Sequence, residues 1–151
     1  MIEIKNFSPS EFDCPSLKGS GGSMRISTLE MLQKARDIYA KPISVTSGFR
    51  TKAHNKKVRG VANSKHLTGY AVDLSAVAEQ DKRELLKALY AVGFRRFGIM
   101  FSAIHVDNDP DAPQSVWRYD AVTDSQGRII RRATNPKDWA LFGTLEKIKA
   151  L

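Results

Sequence analysis

Ser64-Lys65-His66-Leu67-Thr68-Gly69-Tyr70-Ala71-Val72-Asp73-Leu74 sets a histidine seven residues before an aspartate, with a glycine between them. Tyr70 to Leu74 has the apolar character of a buried strand. Strand alternation sends Val72 and Leu74 to one face and Asp73 to the other. A carboxylate left unpaired on such a strand carries a penalty of about several kcal/mol, so Asp73 needs a partner.

A second stretch raises the same question. In Ile104-His105-Val106-Asp107 the alternation sends Ile104 and Val106 into a core and leaves His105 and Asp107 together on the opposite face. The chain has three histidines, His54, His66 and His105. Two imidazoles and a carboxylate on extended segments match a zinc ion that keeps one position open for water. The same residues also fit a core histidine hydrogen-bonded to a carboxylate, or an unrelated surface role, and spacing alone leaves these open.

Around these strands the pattern is mixed. Ile2 to Phe7 reads as a short extended piece, and Lys18 to Ser23 as a loop rich in glycine and serine. Ser27 and Glu30 have capping-box spacing before a helix over Thr28 to Ala40. Pro42 to Ser47 reads as a strand. Thr51 to Asn63 reads as a basic loop with one helical turn. A second helix spans Glu79 to Val92, with Leu85, Leu86, Leu89 and Tyr90 inward and Gly93 ending it. Phe97 to Phe101 is extended, and Val116 to Val122 with Arg128 to Arg132 flank a hairpin turn at Asp124 to Gly127. Asn135 and Pro136 start a final helix whose apolar face is Trp139, Phe142, Leu145 and Ile148. The expected fold is a small α+β domain over residues 1–151. It has a central antiparallel or mixed sheet, flanking helices, a zinc site on the sheet face, and a C-terminal hairpin and helix (about 114–151) packed on it.

Bulk properties narrow the classes. A chain of 151 residues with 42% apolar and 26% charged residues builds its own core. One cysteine, Cys14, excludes both a disulfide scaffold and a cysteine-rich zinc site. No stretch approaches the length of a membrane span, and no stable membrane insertion is expected. The N-terminal residues lack the pattern of a signal peptide, so synthesis in a host cytoplasm is expected. A net charge of +8 favours polyanionic partners: nucleic acid, an anionic wall polymer or an anionic membrane surface.

Ser64-x-His66-x-x-Gly69-x-Ala71-x-Asp73, followed by Ile104-His105-Val106-Asp107, resembles the zinc D-alanyl-D-alanine carboxypeptidases and L-alanyl-D-glutamate endopeptidases of the peptidase M15 family. Ser47-Gly48-Phe49-Arg50 resembles that family's Ser-Gly-Tyr-Arg segment, and Phe7 to Phe12 the start of its small phage and bacterial members. The matches span roughly residues 7 to 107.

The resemblance implies His66, Asp73 and His105 as ligands of Zn2+. It implies Arg50 as the group that holds a carboxylate or carbonyl of a bound peptide, a task suited to the guanidinium fork. Many relatives carry an acid three positions before the last histidine. Here that position is Ser102, which cannot serve as a base. Asp107 is then expected either as the general base, or as a group that orients a ligand histidine. A third reading gives it neither role. His54 fits a substrate-cleft or loop position better than a fourth ligand, and Ser64 fits substrate binding or support of the ligand loop.

The implied activity is hydrolysis of a peptidoglycan stem-peptide amide, either L-alanyl-D-glutamate or a D-alanyl bond. A phage or prophage lysis enzyme is expected, a monomer acting on the wall after release. Two other classes remain: a catalytically inactive wall-binding module, and a nucleic-acid-binding protein using Lys52, Lys56, Lys57, Arg59 and Arg128, Arg131, Arg132. No nucleic acid is expected as partner, because no known binding motif accompanies those charges. Trp117, Arg118 and Tyr119 are candidates for one end of the cleft.

Overall fold

The computed structural model describes residues 4–151. The extended piece expected at Ile2 to Phe7 lies partly outside the described residues, and residues 5 and 6 form a turn. The chain is α+β. Five strands form one mixed sheet in the order β1 (Val45–Ser47), β2 (Ala71–Ser75), β4 (Ala103–Asp107), β3 (Arg96–Ile99), β5 (Ser115–Arg118). All neighbours are antiparallel except β3 and β5, which run parallel.

Alternation sorts the sheet into two faces. Val72, Leu74, Phe97, Ile99, Ile104 and Val106 form the inner face, each fully buried. They pack with Leu32 and Ala35 of α1 (Ile26–Tyr39) and with Leu85, Leu86 and Leu89 of α3 (Glu79–Ala91). A short α2 (Lys52–Lys57) precedes β2, capped by the Thr51 hydroxyl, which accepts from the His54 backbone N–H. Helix α3 stops where Gly93 takes φ +113, a conformation that suits glycine.

Three expectations are corrected. Helix α1 begins at Ile26 after Arg25 as the cap residue, without the Ser27–Glu30 capping box; the Ser27 hydroxyl instead accepts from the Asn108 side-chain amide across the fold. The strand expected over Val116 to Val122 is two elements. Its first half joins the main sheet as β5, and only β6 (Val122–Thr123) pairs with β7 (Ile129–Arg131) in the hairpin. The final helix breaks after Phe142 into α4 (Pro136–Phe142) and α5 (Leu145–Lys149). A new cap at Thr144, whose hydroxyl accepts from the Lys147 backbone N–H, restarts it. Phe142 and Ile148 still reach the common core.

A buried ion pair joins α3 to α4. Lys82 Nζ donates to Asp138 Oδ2 at 2.5 Å and to the Phe101 carbonyl at 2.7 Å. Among the described residues no helix is long and apolar enough to cross a membrane.

Candidate metal centre

The outer face of the sheet carries one transverse row. Ser47 pairs with Asp73, Asp73 with His105, His105 with Gly98, and Gly98 with Trp117. The strand register thus lines up a hydroxyl, a carboxylate, an imidazole, a gap and an indole. His66 reaches the same point from a 3-10 turn, Lys65–Thr68, whose entry is capped by the Ser64 hydroxyl accepting from the His66 backbone N–H.

His66, Asp73 and His105 converge, and all three are buried. His66 Nε2 is 3.2 Å from Asp73 Oδ1 and 3.2 Å from His105 Nδ1, and His105 Nδ1 is 2.8 Å from Asp73 Oδ1. Donors around one zinc ion lie roughly 3.3–3.5 Å apart at the corners of a tetrahedron, so the triangle has the right size.

The partners of each ring set where its protons lie. His66 Nδ1 is 2.7 Å from the Gly48 carbonyl, which can only accept, so Nδ1 carries the hydrogen and Nε2 is a bare lone pair. His105 lies between two carboxylates, Nε2 3.0 Å from Asp107 Oδ2 and Nδ1 2.8 Å from Asp73 Oδ1, so without metal both nitrogens donate, and Asp107 keeps the Nε2 hydrogen when Nδ1 gives up its own. Once the Nδ1 proton leaves, two lone pairs and a carboxylate oxygen face one another. Such a cluster requires a cation, and its nitrogen and oxygen donors suit zinc. The residues fit the metal.

Electrostatics agree. Burial disfavours charge on His66 and holds its pKa below the ordinary histidine value. Burial also opposes a charged His105, but hydrogen bonds to Asp107 and Asp73 outweigh it and raise its pKa to about 9. Burial would raise Asp73, yet the two histidines outweigh it and hold the carboxylate well below its usual range. Without metal the pocket therefore draws in a proton; the positive charge it demands is the same one a cation supplies.

The Ser47 to Arg50 segment supports the ligands from behind. Gly48 holds His66. Arg50 donates from Nη2 to Asp73 Oδ2 at 3.2 Å, from Nε to Ser47 Oγ at 3.0 Å and from Nη1 to Asn55 Oδ1 at 3.3 Å. Arg50 therefore holds the ligand carboxylate, a task that sequence reading did not assign to it, while still lining the cleft. Asp107 is fully buried, with Oδ1 taken by Arg96 Nε at 2.7 Å. It lies behind His105, on the ring nitrogen opposite the ligand nitrogen. Arg96 was not foreseen, because its partner is set by pairing between β3 and β4.

The cleft over this face has a volume of about 790 Å³. His54, Ser64 and Arg50 line it, but none joins the ligand triangle. Trp117, Arg118, Tyr119 and Asp120 form the opposite wall. The Trp117 ring lies 5.2 Å from the His105 ring. Asp109 is paired with Lys65 at 2.8 Å, away from the ligands. Ser102, three residues before His105, is exposed at the turn before β4.

No curated protein sequence matches the chain. A sequence profile of the family described as Peptidase M15 matches residues 5–109, a span holding all three ligands and the segments that orient them. Together with the zinc-binding triad, that match establishes that the chain belongs to the peptidase M15 family.

Proposed function

We propose that this zinc-dependent peptidase hydrolyses an amide of the peptidoglycan stem peptide. The observation that carries the reading is the convergence of His66 Nε2, His105 Nδ1 and Asp73 Oδ1, three ligand atoms of zinc-binding type in the lining of an open cleft. Bound zinc would supply Lewis-acid polarisation of the scissile carbonyl and an activated water nucleophile.

The remaining work falls to the chain. Gly48 and Asp107 hold the two imidazoles in the ligating tautomer. Arg50 holds Asp73 and presents its outer edge to the cleft, where it meets a carbonyl or carboxylate of the peptide. The lining carries Arg50, Arg59, Lys65, Arg96, Arg118 and Arg131 against three carboxylates, Asp73, Asp107 and Asp120. That balance favours an anionic peptide, as the acidic stem of peptidoglycan is.

Asp107 is a positioning residue in this reading, since one oxygen is engaged by Arg96 and the other by the His105 nitrogen opposite the ligand nitrogen. Proton transfer then uses His54 or Asp120. Both line the cleft, and no side-chain hydrogen bond or ion pair engages either among the described residues. His54→Gln and Asp120→Asn, compared at one zinc occupancy, separate the two.

We place the action at the cell wall, after release from a host cytoplasm, because a net charge of +8 suits approach to anionic envelope polymers. Digestion of purified wall with the zinc-loaded protein, with products read by mass, tests the activity and identifies the bond. New stem-peptide termini that vanish with a chelator are expected. Intact wall after prolonged digestion overturns the reading.

A further inference from the structure

We propose that the Tyr119 hydroxyl is a catalytic hydrogen-bond donor, poised over the metal centre to stabilise the oxyanion that develops at the scissile carbonyl. This rests on the peptidase reading above and adds a residue outside the matched family span of 5–109.

Position comes first. Strand β5 lies beside β3 in parallel register, Gly98 opposite Trp117, so Trp117 and Tyr119, two residues apart, share the face that carries His105. Gly98 is the gap in that row. A Cβ built on Gly98 would lie 2.5 Å from the Tyr119 hydroxyl oxygen and 2.8 Å from Trp117 Nε1. The phenol tip therefore occupies the volume a side chain would fill, one strand away from the ligand His105. Neighbouring strands are only about 5 Å apart, which puts the hydroxyl within one substrate group of the metal centre.

The ring is held there. The Tyr119 backbone N–H donates to Thr134 Oγ1 at 2.8 Å, and its carbonyl accepts from the Thr134 N–H at 3.0 Å. Thr134 Oγ1 in turn donates to the Ile99 carbonyl on β3. The Arg131 guanidinium lies 5.0 Å from the ring centre. Trp117, packed against His105, brings its indole Nε1 beside the phenol oxygen, both atoms within 2.8 Å of the Cβ position of Gly98. Indole N–H only donates, so the neighbour beside the phenol oxygen offers it no acceptor, and the O–H is left to donate into the cleft.

Chemistry completes the assignment. When water oxygen adds to the carbonyl carbon, the carbonyl π pair moves onto oxygen and negative charge grows there. A neutral donor already in place costs no reorganisation at that moment. Burial raises the phenol pKa above its ordinary value, and the Asp73 charge adds to that effect, so Tyr119 keeps its proton and acts by hydrogen bond, not by proton transfer. The amine leaves when the C–N bond breaks and takes the proton given up by the attacking water, carried by His54 or Asp120.

Tyr119→Phe tests this. The variant should keep stoichiometric zinc and its unfolding midpoint, because the ring and the Thr134 clamp remain. Its kcat should fall about 10²-fold with KM nearly unchanged, the scale of losing one oxyanion donor. Calorimetric affinity for a phosphinate pseudopeptide, which mimics the tetrahedral state, should weaken by the same factor, while affinity for the product peptide changes less than about threefold. Trp117→Phe keeps the ring on His105 and loses the N–H, so a smaller loss with the same pattern is expected. Wild-type kcat and phosphinate affinity in Tyr119→Phe overturn the assignment. Equal weakening toward phosphinate and product also overturns it, since it marks uniform binding. If the wild-type protein neither cleaves wall amides nor binds the phosphinate, the peptidase reading has failed and the assignment falls with it.

Discussion

Asp107 grips His105 from behind: Oδ2 lies 3.0 Å from Nε2, the ring nitrogen that faces away from His66 and Asp73. Arg96 fixes the other oxygen at 2.7 Å, so the carboxylate has one orientation. Asp107→Asn should therefore weaken zinc affinity and activity together, each by about 10- to 100-fold. Competition against a chromophoric chelator and a rate, both on one sample, check this. Full zinc affinity with a lost rate would restore Asp107 as the base.

The triangle of donors leaves little redundancy. His66→Ala or His105→Ala removes one of three protein ligands, and each should abolish metal retention after dialysis, and wall lysis with it. Metal analysis by mass spectrometry reads the outcome. Stoichiometric zinc in both variants would contradict the assigned ligand set.

Proton release should accompany metal binding. At pH 7 the metal-free protein holds a proton on His105, whose pKa is raised to about 9, while His66, lowered from 6.5, is neutral. Zinc needs both lone pairs, so about one proton should leave per ion bound, and apparent affinity should rise about tenfold per pH unit from 7 until it levels near 9. Titration calorimetry in buffers of different ionisation enthalpy measures the proton.

The same shift sets a stability window for the metal-free protein. The folded pKa of His105 lies above the unfolded value of 6.5, so its stabilising contribution is full below about pH 6.5 and is lost as pH rises through about 9. The zinc-loaded protein, with His105 already deprotonated, should lack this slope. Denaturant midpoints across pH 6 to 10 with and without chelator compare the two.

The Lys82–Asp138 pair ties the C-terminal helices to α3. Lys82→Ala would strand a buried carboxylate, with a cost of about 3–5 kcal/mol. Replacing both partners, as Lys82→Met with Asp138→Leu, should recover most of the loss. Urea midpoints of the zinc-loaded single and double variants provide the comparison. A single variant as stable as wild type would show the pair to be dispensable.

The sequence by itself singled out the candidate ligands, through residues that resemble the peptidase M15 pattern, where spacing alone left other readings open. Asp73 and His105 were legible because strand alternation is local: each is flanked by two apolar residues that must turn inward. His66 was legible through its spacing to Gly69 and Asp73, and Arg50 through the Ser47 to Arg50 motif. Tertiary structure alone decided what stands behind and opposite them. The partner of Asp107 is Arg96, eleven residues away on another strand, and the duty of Arg50 toward Asp73 spans 23 residues. Tyr119 reaches the centre because β5 docks parallel on β3, a non-local pairing that no local pattern encodes, and because Gly98 leaves the space. The break between α4 and α5 was hidden for the opposite reason: the three-residue apolar rhythm runs unbroken through it, while the Thr144 cap restarts the backbone. Periodicity reports which side chains are buried, and register between distant strands, set by packing of the whole sheet, reports which of them meet.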